Sequence, residues 1–252
     1  GSCVIFTIAL RELRTLFLSP IAWAVLAVVQ VILALLFLGR VEELHIYRSQ
    51  LLAMENAPGV TELVVPPLFG TAAVILLFVI PLVTMRIIAE ERRNRTLPLL
   101  LSAPVSMTEI VLGKYLGVLM FLLVVVVLLA LMPLSLLFGG TIDYGLLGSA
   151  LIGLTLTLAS FAAVGVFMST LTQHPAVAAV AGVGVLILFW ILDISGQGDV
   201  RTNMLAYLSM FNHYQPFLRG VFDSGDAIYH ALVVVTFLGL SIRRLDADRL
   251  GG

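Results

Sequence analysis

From Tyr115 to Phe138 the sequence carries no charged side chain. A helix rising 1.5 Å per residue needs about 20 residues to cross the ~30 Å hydrocarbon core of a bilayer. A run this long and this apolar is therefore read as a membrane span. Five other stretches read the same way, and the expected spans fall at about 20–39, 66–88, 115–138, 146–170, 175–194 and 226–243. The chain is 60% hydrophobic and 12% charged, where soluble domains are about one quarter charged. The expected fold class is an all-α integral membrane protein with six transmembrane helices, forming one membrane domain over residues 1–252. Pro81 and Pro133 fall inside spans, where they free backbone groups that neighbouring helices must satisfy. A single cysteine, Cys3, excludes an internal disulfide, and a net charge of −1 gives no field for nucleic acid.

The basic residues set the expected orientation. Arg11, Arg14, Arg86, Arg92, Arg93, Arg95, Lys114, Arg243, Arg244 and Arg249 fall on one side of the six spans, and Arg40, Arg48, Arg201 and Arg219 on the other. Basic loops stay in the cytoplasm, so both termini are expected there. A cleaved signal peptide is not expected, because Arg11 and Arg14 interrupt the first apolar stretch. Residues 4–19 are amphipathic. Thr7, Arg11 and Arg14 share one helical face, while Ile5, Phe6, Leu10, Leu13 and Phe17 lie mainly on the other. That pattern predicts a helix lying in the membrane interface.

Between the second and third spans, Glu90 to Arg95 holds five charges in six positions. At a span centre each would cost about 2.5–3.5 kcal/mol, so the five together exclude burial in lipid. The residues after Arg95 make more than a solvated loop. Thr96 can cap a new helix, and Pro98 is tolerated in a first turn. Leu97, Leu99, Leu100 and Leu101 then form a short apolar element ended by Ala103-Pro104. Ser106 and Glu109 have the spacing of a capping box that starts the next helix. Exposed leucines flanked by charge predict a docking surface.

The run "AEERRNRTLPLLLSAPVSMTEIVLGKYLG" resembles the cytoplasmic loop of ABC-2 type permeases. "HYQPFLRGVFDSGDAIYH", from His213 to His230, looks like the last outside loop and final span of the gliding-motility-associated (F-type) permeases of that family. Arg95 stands where relatives often carry glycine, and Pro98 where they often carry glutamate. The resemblance implies a bacterial inner-membrane permease. Its cytoplasmic coupling helix would dock on a separate ABC ATPase through Glu90, Glu91, Arg92, Arg93, Arg95, Thr96, Leu97, Leu99, Leu100, Leu101, Ser106 and Glu109. It further implies short extracytoplasmic helices before the last span, a second permease chain as homo- or heterodimer partner, and an auxiliary membrane subunit with a large extracytoplasmic domain. That subunit could use the Arg40–Val65 and Gln197–Phe222 segments. ATP and magnesium would be bound by the ATPase, since this chain has no Gly-x-x-x-x-Gly-Lys-Ser/Thr loop. The role is export or mechanical transmission, with no catalytic residue, cofactor or metal in this chain and the substrate unnamed.

Other chemistries are weaker. Gly196-Gln-Gly198-Asp199 matches the signature of intramembrane aspartyl proteases, but no second carboxylate lies deep in another span. Ser160 and His230 could serve a serine protease only if they shared a depth, and Ser160 lacks the usual glycine context. His230 alone reads as an interfacial hydrogen-bonder. His45, His174 and His213 show no metal spacing. Gln30, deep in the first span, reads first as an interhelical bond and second as part of a substrate path. Ala178-x-x-x-Gly182 and Ser149-x-x-x-Gly153 allow close helix packing. Ion-coupled transport would want ionisable groups at mid-membrane, which the spans almost wholly lack. A structural scaffold is the remaining alternative.

Overall fold

A computed structural model describes residues 2–52, 59–96, 105–138, 141–192 and 204–250. Among them the elements are helical: α1 Ser2–Leu18, α2 Pro20–Leu52, α3 Val60–Thr84, α4 Ala89–Arg93, α5 Met107–Leu134, α6 Tyr144–Leu171, α7 Pro175–Ile191, α8 Met204–Leu208, α9 Met210–Leu218 and α10 Ser224–Leu250, with a 3₁₀ turn at Ser135–Phe138. Five helices are long and apolar enough to cross a membrane, those built on α2, α3, α5, α6 and α10. The remaining expected span begins at Pro175 as foreseen and is a 17-residue apolar helix. The protein is thus an all-α integral membrane protein.

The observed helices outrun the expected spans. α2 continues past Gly39 to Leu52, and its 33 residues make about 50 Å of helix. The stretch after Arg40, read as an outside loop segment, is therefore largely helical, with Arg40 and Glu43 paired at 2.9 Å one turn apart. α3 starts at Val60 and passes through Pro66 and Pro67. Those prolines free only the carbonyls of Glu62 and Leu63, close to the helix start, so the helix survives them. α5 begins at Met107, well before Tyr115, because Ser106 and Glu109 form the expected capping box.

α6 is the central post. Of its most apolar stretch 67% is buried inside the chain, against 22% for that of α2 and 28% for that of α10. It packs against α3, α5, α7, α9 and α10. Close approaches are made at glycines. A Cβ on Gly153 would sit 2.3 Å from Phe217 of α9, and one on Gly165 would sit 2.1 Å from Thr84 Oγ1 of α3. Gly182 of α7 faces Pro81. Both small-residue motifs noted in the sequence are thus used within the chain. α9 folds back onto the bundle: Met210, Tyr214 and Phe217 are fully buried, and Tyr214 Oη donates to the Phe69 carbonyl at 2.9 Å. Gln30 Nε2 reaches the Val125 carbonyl of α5 at 3.4 Å, an interhelical bond.

α1 does more than float at an interface. Its residues Ile5, Ile8, Ala9 and Glu12 press on Gly113 and Gly117 of α5, where an added Cβ would stand 2.7 Å from Ile8 or Glu12 and 2.9 Å from the Ala9 carbonyl. The expected polar face, Thr7, Arg11 and Arg14, is exposed. Phe6 and Leu10, expected to share the apolar face, are 54% and 46% exposed. The stripe that packs is the one matching the two glycines. Replacing Gly117 with valine should force α1 off α5 and cost about 1–3 kcal/mol. A denaturation midpoint in detergent equal to that of the unaltered protein would refute this packing.

Candidate functional site

The charged end of the bundle is organised by a break after the α3 helix. Residues 85–88 leave the regular helix and α4 comes next. Breaking a helix strands backbone donors. Here Ser169 of α6 collects them. Its Oγ accepts from the Ile88 and Ala89 N–H groups, both at 3.0 Å, and donates to the Met85 carbonyl at 3.1 Å. One fully buried hydroxyl thus fixes the joint.

α4 is then clamped from two sides. Lys114 of α5 is 5% exposed. Its Nζ donates to the Ile87 carbonyl and to Glu91 Oε1, each at 2.9 Å, and to Glu12 Oε2 of α1 at 3.2 Å. Three ammonium hydrogens meet three acceptors, which is what a buried lysine requires. On the other side Arg92 donates to the Thr170 carbonyl at 2.9 Å and pairs with Asp248 of α10. Asp248 also faces Arg244 at 3.6 Å.

The expected docking residues therefore divide. Glu91 and Arg92 are spent on internal pairs. Glu90 and Arg93 form an exposed pair at 3.4 Å, and Arg95 and Thr96 are exposed. Thr96 Oγ1 donates backwards to the Glu91 carbonyl at 3.2 Å. It closes α4, and the residues that it would cap as an N-cap lie outside the described ones. The Thr96 N–H also donates to Glu91 O, at 3.0 Å, and the Arg95 N–H to Arg92 O, at 3.3 Å. Arg95 has φ of 56°. This is a Schellman stop, in which the left-handed position usually belongs to glycine. Ser106 Oγ accepts from the Glu109 N–H at 3.2 Å, and the Ser106 N–H donates to Glu109 Oε2 at 3.0 Å. Leu97, Leu99, Leu100 and Leu101 lie outside the described residues, as does Gly196–Asp199.

Lys114 enters the sequence reading only as a basic residue of the cytoplasmic side and within the run that resembles ABC-2 permeases. Its missed signal was a lysine one step from a glycine four residues before another glycine, a helix face too close-packed for an idle cation. At the far end of the bundle a second polar cluster was also missed. His213 Nδ1 lies 2.6 Å from Asp226 Oδ1 and its Nε2 2.8 Å from the Tyr207 carbonyl, and its ring stacks on Tyr229 with centroids 3.9 Å apart. Ser160 and His230 do meet, at 2.9 Å. Both are 0% exposed, so no substrate carbonyl can reach the hydroxyl, and the pair ties α6 to α10. Among the described residues no group of three or more metal-ligating side chains is placed to hold an ion.

Helices long enough to span a bilayer, with a broken, ion-paired segment at one end, define a multi-pass membrane protein. The chain belongs to the ABC-2 family of transporter proteins, whose family model matches residues 6–247. Members are membrane permease subunits of ABC transporters and associate with ABC ATPase subunits in general. A search of curated proteins returned no match.

Two outcomes test the geometry. Lys114→Met leaves two carboxylates facing each other and should cost about 3 kcal/mol, the low end for a broken buried pair because Glu91 keeps partial exposure. Adding Glu12→Gln and Glu91→Gln should shrink that loss, as read by chemical denaturation in detergent; an unchanged loss would dismiss the clamp. Arg95→Gly should stabilise the stop by up to about 1 kcal/mol through relief of the left-handed backbone, and a destabilised variant would contradict it.

Proposed function

We propose that this chain is the permease subunit of an ATP-driven gliding-type ABC-2 transporter in a bacterial inner membrane, with both termini in the cytoplasm. The observation that carries this reading is the fixing of α4 to α1, α5, α6 and α10 by Lys114, Ser169 and Arg92, within a chain of the ABC-2 family. A segment held by four helices can transmit a push to all of them. In this reading Glu90, Arg93, Arg95 and Thr96 flank the docking element, Leu97, Leu99, Leu100 and Leu101 supply its apolar contact, and Ser106 and Glu109 set the return helix. Glu91 and Arg92 belong to transmission, since their charges face inward.

A cytoplasmic ABC ATPase binds ATP and magnesium and docks on residues 90–109. A second permease chain completes the transport path, and an auxiliary membrane subunit with a large outside domain engages the Arg40–Val65 and Gln197–Phe222 segments. Closure of the ATPase pair pushes the docking element, and the rigid joint at residues 85–96 passes the displacement to the bundle. The work done is export or mechanical transmission.

The complex purified with its native partners should show vanadate-sensitive ATPase activity. Leu100→Asp should abolish co-purification of the ATPase or separate ATP turnover from transport. Unchanged transport and ATPase binding in that variant would count against docking at this segment.

A further inference from the structure

We propose that the cleft between α1 and the α3–α4 joint is a binding site for the headgroup of a phosphatidylethanolamine molecule from the adjacent leaflet. The cleft has a volume of about 270 Å³. Ligand pockets run from about 300 Å³ upward, so this one holds a headgroup and its glycerol link, not whole acyl chains. Its floor is apolar, formed by Leu16, Ile21, Ala22, Leu82 and Val83. Ile21 and Leu82 are 42% and 43% exposed, on the first turn of α2 and the last turn of α3, and they offer a lane along which a chain can leave towards the bilayer.

Its polar wall carries both signs. Arg11 comes from α1 and Arg86 from the joint. Both are exposed, and neither side chain has an ion pair or hydrogen bond among the described residues. Two unpaired guanidinium groups converging on one cleft suit a phosphodiester. The same cleft is lined by Glu12, Glu90, Glu91 and Lys114. Glu12 and Glu91 share the single Lys114 ammonium, so that trio carries one surplus negative charge. Arg11, Arg86 and Lys114 against Glu12, Glu90 and Glu91 give the lining itself no net formal charge but divide it by sign, with Glu90 also paired to Arg93 outside the lining.

A divided neutral wall fits a zwitterion better than a net anion. The cation it favours is a primary ammonium. Ammonium N–H groups can donate to carboxylates, whereas a quaternary ammonium is recognised by aromatic faces, and none of the described lining residues is aromatic. The apolar floor and its exit toward the spans commit the site to lipid over the free headgroup. The proposal needs the membrane-embedded chain alone and does not depend on ATPase coupling.

The test is native mass spectrometry of the detergent-purified protein against phosphatidylethanolamine, phosphatidylcholine and phosphatidylglycerol of matched chains, with soluble phosphoethanolamine as a fourth arm. Phosphatidylethanolamine should be retained at least tenfold more strongly than either other lipid. Arg11→Gln with Arg86→Gln should remove that retention. In the unaltered protein a photoactivatable phosphatidylethanolamine should label residues 8–22 or 82–96. Equal retention of the three lipids, binding of soluble phosphoethanolamine as tight as that of the lipid, retention unaffected by the double substitution, or labelling confined to other segments would each overturn the site. Loss of ATPase coupling with lipid retention intact would fault the proposed function and leave this inference standing.

Discussion

The charged end of this protein depends on one ammonium group. Lys114 lies in the helix face that carries Gly113 and Gly117, and Nζ reaches α1, the helix break and α4 together. A cation withdrawn from water is tolerable only when its hydrogens and its charge are both answered. The two glutamates answer the charge, and the Ile87 carbonyl takes the third hydrogen. The glycines make this geometry reachable, since without a Cβ at either position α1 comes close enough for Glu12 to meet the lysine. Close packing and ion pairing are one device here, and neither would hold its place without the other.

The fold was largely legible in the sequence because the solvent imposes it. Lipid cannot pair a bare amide, so long apolar runs must be helices, and the runs around residues 20–39, 115–138 and 146–170 are helices. Helix ends were less legible. A span predicted by hydropathy stops where charge begins, yet a helix continues as long as its charges find partners or solvent, as α2 does through the Arg40–Glu43 pair. The capping box at Ser106 was readable because both of its bonds are local. The tie of Thr96 back to α4 was not read, for the complementary reason. Its hydroxyl has a carbonyl behind it, at Glu91, and backward donation ends a helix as readily as forward acceptance begins one.

What could not be read were the pairings between distant residues. Nothing local in "EERRNR" distinguishes Glu91 and Arg92 from Glu90 and Arg93. α4 is one turn and a half, so adjacent charges point in different directions, and only the position of Lys114 and Asp248 decides which face turns inward. The same holds for Ser169, an ordinary hydroxyl in an apolar helix until a break in α3 places two stranded N–H groups against it. The polar pair Ser160–His230 shows the converse: residues that would be needed for a nucleophile can meet and still be only a joint when neither is reachable.

A five-residue helix is far below the length that is stable alone, so α4 takes its order from what holds it. Its conformation and that of the surrounding bundle are therefore linked. Anything that binds residues 90–96 only as they stand here must also favour the arrangement of α1, α5, α6 and α10 that orders them, and by reciprocity a shift of those helices must change the affinity for that partner. The sign and size of the effect rest on how many of the three ties, at Lys114, Ser169 and Arg92, survive the shift. Ties to three separate helices cannot all lengthen without α4 losing its register. A graded deformation is thus less favourable than a switch between held and released, which is the behaviour a close-packed bundle imposes on a short element clamped against it.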